Sequence, residues 1–272
     1  MSLSRKIALA SVATIILVVG LTIGNMTLFT RSLQRSEEQN TSLTIERTIS
    51  AFDDYLHRLD VLNRDWAAWD DTYNFVKSPS ENVDYIEVNF PDATFADAKL
   101  NFILIIDNSG SLVYGKAFDL NIEQEVPILE SLQEHISDEA LIGHEGVDDS
   151  LIGIILLPEG PLMVSSRPIV TSEGEGPIEG TIIMAQFLDS SAVGALSNTI
   201  HLPLVLVTVN DMNMPSDLEV ARSSLTIEAP ILVRAISSES MAGYFLLKDI
   251  YGSPAIIFRL TIPRTLYAQS VA

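Results

Sequence analysis

Residues 64–75, RDWAAWDDTYNF, gather both tryptophans of the chain, a tyrosine and three aspartates into twelve positions. Neighbouring carboxylates suggest general acid–base work, and aromatic rings beside a few polar groups suggest the rim of a small-molecule pocket. On a helix, Asp70 and Asp71 diverge by about 100°, so they cannot flank one scissile bond as a catalytic pair. Two readings stay open: part of the cluster faces a ligand, or the rings are core and Asp70 is satisfied by a backbone amide. Other chemistry is scarce. The chain has no cysteine, which excludes disulfides, thiolate metal sites and cysteine nucleophiles. Its four histidines, His57, His135, His144 and His201, are too scattered for metal-binding spacing. No nucleophile or phosphate-binding constellation is present, so neither enzymatic activity nor a cofactor is expected.

The element that must position the cluster is a helix. Ile45, Ile49, Phe52, Leu56, Leu59, Leu62, Trp66, Trp69, Tyr73 and Val76 follow one another in steps of three or four, which keeps one helical face apolar. No proline occurs before Pro79, so one helix is expected to run unbroken to Lys77. On it Trp66, Trp69 and Tyr73 share the stripe, Asp70 sits at its edge and Asp71 points away. The portion from Ile45 to Leu59 is also heptad-like, which suits packing on the same helix of a second subunit; the alternative is packing on its own domain alone.

Upstream, residues 7–30 hold no charged side chain, and 24 helical residues span a hydrocarbon core of roughly 30 Å. The run reads as a retained anchor. A cleaved signal fits less well, because the small residues precede the apolar core and the core exceeds a typical signal's length. Arg5 and Lys6 before the run nearly balance Arg31 and Arg35 after it, so charge does not set the orientation. The net charge of −20 comes from 36 acidic and 16 basic residues, and no acid precedes Glu37. That surface repels phosphate backbones, which argues against nucleic-acid binding.

Beyond residue 79 the pattern becomes strand-like. LNFILIIDNSGSLVYGKAF reads as a hairpin with Gly110 supplying the turn's positive φ. IEQEVPILESLQEHI has helical spacing, although Pro127 must lie in its first turn or break it; a second hairpin follows about Pro158 to Pro161, then a fifth strand in GPIEGTIIMAQFLD. A linker helix near residues 190–200 leads to four more strand candidates, the last two joined by a turn around Gly252. The hairpins IIDNSGSLVY and LLKDIYGSPAIIF share an aspartate and a glycine in the turn, a repeat of architecture rather than of sequence.

These residues resemble the extracytoplasmic CHASE sensory domains of the fourth type. The likeness rests on DWAAWDDTYNF near the end of a long helix, YIEVNF, LNFILIIDNSGSLVY, GPLMVSSRPIV and GPIEGTIIMAQFLD, covering about residues 45–190. It implies an N-in anchor, a sensor outside the cytoplasmic membrane, and an output such as a histidine kinase or diguanylate cyclase, of which this chain shows no motif. The expected class is α+β: a long helix continuous with the membrane anchor, and two stacked Cache- or PAS-like antiparallel sheet modules. The expected divisions are the anchor at 7–30, a stalk helix at 31–79, a distal sensory module at 80–190, a linker helix at 191–200, a smaller membrane-proximal sheet at 201–264 and, at 265–272, the start of a helix returning to the membrane. The ligand is an unidentified small molecule. Its candidate liners are Trp66, Trp69, Asp70 and Tyr73 on the helix, Tyr85 and Asn89 on the segment that follows, and Arg167 in SSRPI, whose alternative partner is Asp70 or another acid. A competing reading is a membrane-anchored adhesive or scaffold protein that binds a partner without signalling.

Overall fold

The computed structural model describes residues 3–136 and 138–264. Helix α1, Leu3–Ala67, is 65 residues long, which is roughly 100 Å at about 1.5 Å per residue. Its first part is bare of packing at Ile15, Ile16, Leu17, Val18, Val19, Leu21, Ile23, Met26, Leu28 and Phe29, which are between 49% and 72% exposed. A continuous apolar sleeve of that kind is costly in water and at home in lipid. The hydroxyls in this stretch are already satisfied along the helix: Thr22 Oγ1 donates to Val18 O at 2.6 Å and Thr30 Oγ1 to Met26 O at 2.6 Å. Hydrocarbon demands that internal pairing. This is the one helix among the described residues long and apolar enough to cross a membrane.

The rest of α1 is the spine of two sheets. Four short helices or turns follow it: α2 (Asp70–Lys77), a 3-10 turn at Pro79–Glu81, α3 (Asp84–Asn89) and α4 (Asp92–Ala98). The distal sheet then forms from β1 (Phe102–Asp107), β2 (Leu112–Asp119), β3 (Gln124–Val126), β4 (Leu151–Leu157), β5 (Gly160–Ile169) and β6 (Gly180–Phe187), with α5 (Glu130–Ile136) and α6 (Glu139–Ile142) before β4. Its order is β3-β2-β1-β6-β5-β4, and every pair is antiparallel. Helix α7 (Ser190–Ile200) leads to the proximal sheet, built from β7 (Leu204–Thr208), β8 (Ile231–Ala235), β9 (Ser240–Lys248) and β10 (Pro254–Pro263) in the order β7-β10-β9-β8, with α8 (Ser216–Ser224) on its outer face. The architecture is α+β with two antiparallel sheets, the expected class. The positions expected to begin a return helix, residues 265–272, lie outside the described residues.

The two hairpins that share an aspartate and a glycine in the turn are matched in atoms. Asp107 Oδ1 accepts from Ser109 N and Ser111 N at 2.8 and 2.9 Å, and Asp249 Oδ1 accepts from Tyr251 N and Ser253 N at 3.0 and 2.8 Å. Gly110 and Gly252 close the two turns at φ 79° and 82°, a region that glycine enters without a Cβ penalty. The second turn also joins the modules: Ile250 N donates to Ile154 O of edge strand β4 at 2.9 Å, and Tyr251 Oη lies 2.7 Å from His135 Nδ1.

One core unites α1, α2 to α4 and the inner faces of both sheets; a second lies behind the distal sheet under α5 and α6, and a third lies between the proximal sheet and α8. Three expectations change. The helix does not continue to Lys77: the Ala67 carbonyl accepts from Val170 N at 3.0 Å, Ala68 bridges Val170 beside β5, and Trp69 is extended at φ −140°, ψ 130°. A strand-like partner thus takes the carbonyl that the next helical turn would need. Gln124–Val126, read as helix, is a strand paired with β2, and the helix begins only at Glu130. Finally, Ile45, Phe52, Leu56 and Leu59 are all less than 9% exposed within a single chain, so the heptad-like face is taken up by the chain's own sheets.

Candidate ligand site

The break at Ala68 turns the chain back over its own aromatic residues. Trp66 at the end of α1 packs on Phe90 (ring centroids 5.9 Å), and Trp69 on Tyr85 (6.1 Å). Tyr85 lies against Phe75 (4.8 Å) and edge-on to Phe90 (5.7 Å), and Phe90 stacks on Tyr114 of β2 (5.5 Å). Six rings from α1, α2, α3 and the sheet therefore form one contiguous cluster, with a cleft of about 320 Å³ opening beside Tyr85 between Asp71, Asn82, Asp84, Val88 and Asn89.

Most polar atoms here are spoken for. Tyr85 Oη and Thr72 Oγ1 share a buried hydrogen bond of 2.6 Å, and burial, the chief influence, holds the Tyr85 phenol well above its ordinary range. Two atoms are not. Trp66 Nε1 and Tyr114 Oη are buried and have no hydrogen-bond partner among the described residues. Burial, followed by the nearby Glu125 and Asp92 carboxylates, raises the Tyr114 pKa, so its phenol stays protonated and remains a donor. An unpaired buried donor costs about 1–3 kcal/mol, and both of these rings pack on Phe90.

The other candidates from the sequence each have a hydrogen-bond partner. Asp70 Oδ1 accepts from Ser172 N at 2.9 Å, while Asp70 N donates to Ser172 Oγ at 3.0 Å, a reciprocal clasp on the loop after β5. Tyr73 Oη donates to Glu179 Oε1 at 3.1 Å, and Asn89 Nδ2 donates to Tyr85 O at 2.9 Å. Arg167 is bound twice by Asp60: Nε to Oδ1 at 2.8 Å and Nη2 to Oδ2 at 2.5 Å. The structure thus brings Trp66, Trp69 and Tyr85 together, sets Asn89 on the wall of the adjoining cleft, and leaves Asp70, Tyr73 and Arg167 in structural contacts.

Sequence reasoning passed over Tyr114 and Phe90, and also Asp60 and Asn63. Asp60 is 3% exposed and also accepts from Ser150 Oγ (2.6 Å) and Ser165 Oγ (2.9 Å). Burial works against its charge, and the bonds from Arg167, Ser150 and Ser165 more than offset this, holding its carboxyl below the ordinary value of 3.8. Asn63, fully buried, donates to Ser165 O at 2.9 Å and to Ile182 O at 3.2 Å, which ties α1 to β5 and β6. A signal for this pair was present: Thr41, Ile45, Thr48, Phe52, Leu56, Asp60, Asn63 and Ala67 keep the three-or-four spacing and are the most buried line of the helix. Counting apolar residues alone steps over its polar members.

The sequence model of the CHASE4 domain matches residues 51–207, more than half of the chain. A relative, the methanogenesis regulatory histidine kinase FilI of Methanothrix harundinacea, is 29% identical over 241 residues; the match takes in 88% of this chain and 26% of that protein. The chain therefore spans about a quarter of the length of this relative. Among solved structures, the extracellular domain of the histidine kinase vpHK1S-Z8 is similar with a TM-score of 0.52, at 12% identity over 87% of this chain and 98% of that one. A domain of a sensory box/GGDEF family protein from Vibrio parahaemolyticus gives 0.51 at 13% identity over 85% and 97%. At such identities the likeness is one of fold.

Proposed function

Because the chain belongs to the CHASE4 domain family, a family of sensory input domains, we propose that it senses a small molecule outside the cytoplasmic membrane and that the aromatic cluster of the distal module is the binding site. The observation that carries this is the pair of buried, unpartnered donors, Trp66 Nε1–H and Tyr114 Oη–H, set among stacked rings. Two donors without an acceptor call for a ligand that brings one: a carboxylate, a carbonyl or an amide oxygen, with an apolar or flat body to lie on the rings. The anchor is the apolar part of α1, and the likeness to a histidine kinase supports a kinase as output. The chain itself is a non-catalytic input unit. Homodimerisation through α1 uses the face turned away from the sheets, where Leu43 and Val61 are 50% and 45% exposed.

Both tryptophans lie in the cluster, so intrinsic fluorescence reports on it directly. The full chain in lipid nanodiscs is screened by thermal shift against free amino acids, dicarboxylates and amides, since a ligand of the folded state raises its apparent stability. The stabilising compound should also change tryptophan emission with the same midpoint, and Trp66→Phe and Tyr114→Phe should each weaken it about tenfold, the loss of one buried hydrogen bond. A stabilising compound that leaves emission unchanged, and binds both variants as it binds the parent chain, overturns the assignment. Leu43→Cys or Val61→Cys, in a chain with no other cysteine, should cross-link in membranes under oxidation; absence of cross-linking at both refutes the dimer face.

A further inference from the structure

At the end of the distal sheet where β1 begins and β2 and β6 finish, a second cleft of about 410 Å³ lies between the sheet, the segment after β3 and the β4–β5 turn. It shares no lining residue with the aromatic cluster. Its apolar surface comes from Phe102, Phe118, Leu129, Pro161 and Phe187, with Phe102 and Phe187 edge to face at 5.7 Å. Volume and lining are those of a small-molecule site, which is usually concave, mostly apolar and supplied with few polar groups.

The charged groups at this cleft are all of one sign. Asp119, Glu159 and Asp189 line it, and no lysine or arginine does. Each carboxylate has one oxygen engaged: Asp119 Oδ1 accepts from Asn121 N at 2.8 Å, Glu159 Oε2 from Ser131 Oγ at 2.8 Å, and Asp189 Oδ1 from Ala192 N at 2.9 Å. Their second oxygens accept nothing from the described residues. Each carboxylate is thus tethered by a local bond, Glu159 and Asp189 being exposed and Asp119 half-buried, and each retains acceptor capacity at the cleft it lines. We propose that this cleft is a second binding site and that it takes an organic cation, an amine on an apolar body. The body lies on the phenylalanines, and the ammonium faces the three carboxylates, where an anion of the same shape is repelled.

The position gives such a ligand a handle on the fold. Asp189 caps α7, the helix that carries the chain from β6 into β7 of the proximal sheet. A cation on its second oxygen acts at the joint between the modules, away from the aromatic cluster.

Three probes of matched shape test this on the full chain in zwitterionic nanodiscs by titration calorimetry: phenethylamine, 2-phenylethanol and 3-phenylpropionate, with methylammonium as a charge-only control. The amine should bind saturably and at least tenfold more tightly than the alcohol, methylammonium should give no saturable heat, and phenylpropionate should give none in the Trp66→Phe/Tyr114→Phe chain, which lacks both donors of the aromatic cluster. Leu129→Trp, which fills the cleft, should abolish amine binding. Should that variant fail to fold, the isosteric Asp119→Asn/Glu159→Gln/Asp189→Asn variant carries the test: it keeps the acceptors for Asn121 N, Ser131 Oγ and Ala192 N, and amine affinity should fall to that of the alcohol. Trp66→Phe should leave the amine titration unchanged. Absence of saturable amine binding, equal affinity for amine and alcohol, or amine binding indifferent to the isosteric variant overturns the proposal.

Discussion

The two sheets hold the same helix by different means. In the distal module α1 is gripped by polar atoms, Asp60 and Asn63, which reach the backbone and side chains of β5 and β6 and end in the Asp60–Arg167 pair. In the proximal module a close fit of shape joins an ion pair: Ile45 and Thr41 press on β9 where Gly243 has no side chain, and a Cβ there would meet Ile45 Cδ1 at 2.8 Å. Nearer the membrane, Arg264 at the end of β10 holds Glu37 of α1 through Nε and Nη2 at 2.9 and 2.8 Å, both residues less than 9% exposed. The distal grip sits beside a cluster with unpartnered donors. The proximal one joins the helix that enters the domain to the strand that leaves it. The difference suggests a division of labour, in which the distal module changes with its ligand and the proximal module moves with α1 as one body.

Breaking the distal grip should have the largest effect. Asp60→Ala leaves the Arg167 guanidinium without its carboxylate, and severing a buried pair of this kind costs about 3–5 kcal/mol; denaturant unfolding of the full chain measures it. The proximal grip should fail by crowding instead. Gly243→Val is expected to cost about 1–3 kcal/mol, with part recovered by the second change Ile45→Ala, which makes room for it. If Gly243→Val costs nothing, the close approach of α1 to β9 is not what fixes that module.

A smaller effect of opposite sign marks the ligand site. Tyr114→Phe removes a buried hydroxyl that has no partner, so without ligand it should stabilise the fold by about 1 kcal/mol while weakening the ligand response. The smallest effect is on pH dependence. His144 is held below its ordinary pKa of 6.5, first by burial and then by the Arg167 charge, against the pull of Asp149; its Nε2 lies 3.1 Å from Ser166 Oγ. With the folded pKa depressed, the unfolded chain binds the proton more readily, so stability is whole above about pH 6.5 and declines as pH falls through the window beneath it. Asp60 adds a second loss further down, as pH falls below 3.8 towards its lowered folded value. His144→Gln should erase the upper limb of the unfolding profile and leave the lower one.

What was legible in the sequence was whatever depends on local rules. The turns at Gly110 and Gly252, with their aspartates, announced both hairpins because the chemistry of such a turn lies within five residues. The apolar spacing announced α1 for the same reason. The interruption at Ala68 was not legible: RDWAAWDD is made of residues tolerated in a helix, and the break comes from Val170, about a hundred positions away, taking the Ala67 carbonyl. The short strand Gln124–Val126 was hidden likewise, since pairing with β2 overrides its helical spacing. Of the site, Trp66, Trp69 and Tyr85 were visible as an aromatic concentration. Tyr114 was not, because on its strand nothing distinguishes a ring that will meet Phe90 from one that faces solvent.

Hydrogen–deuterium exchange of the full chain, with and without the strongest stabiliser from the small-molecule screen, tests the division of labour most directly. Ligand should slow exchange between residues 66 and 90 and around Tyr114, and leave β9, β10 and the α1 segment around Thr41 and Ile45 unchanged, because that part moves without opening. Protection that appears in β9 and β10 while residues 66–90 exchange as before would contradict it.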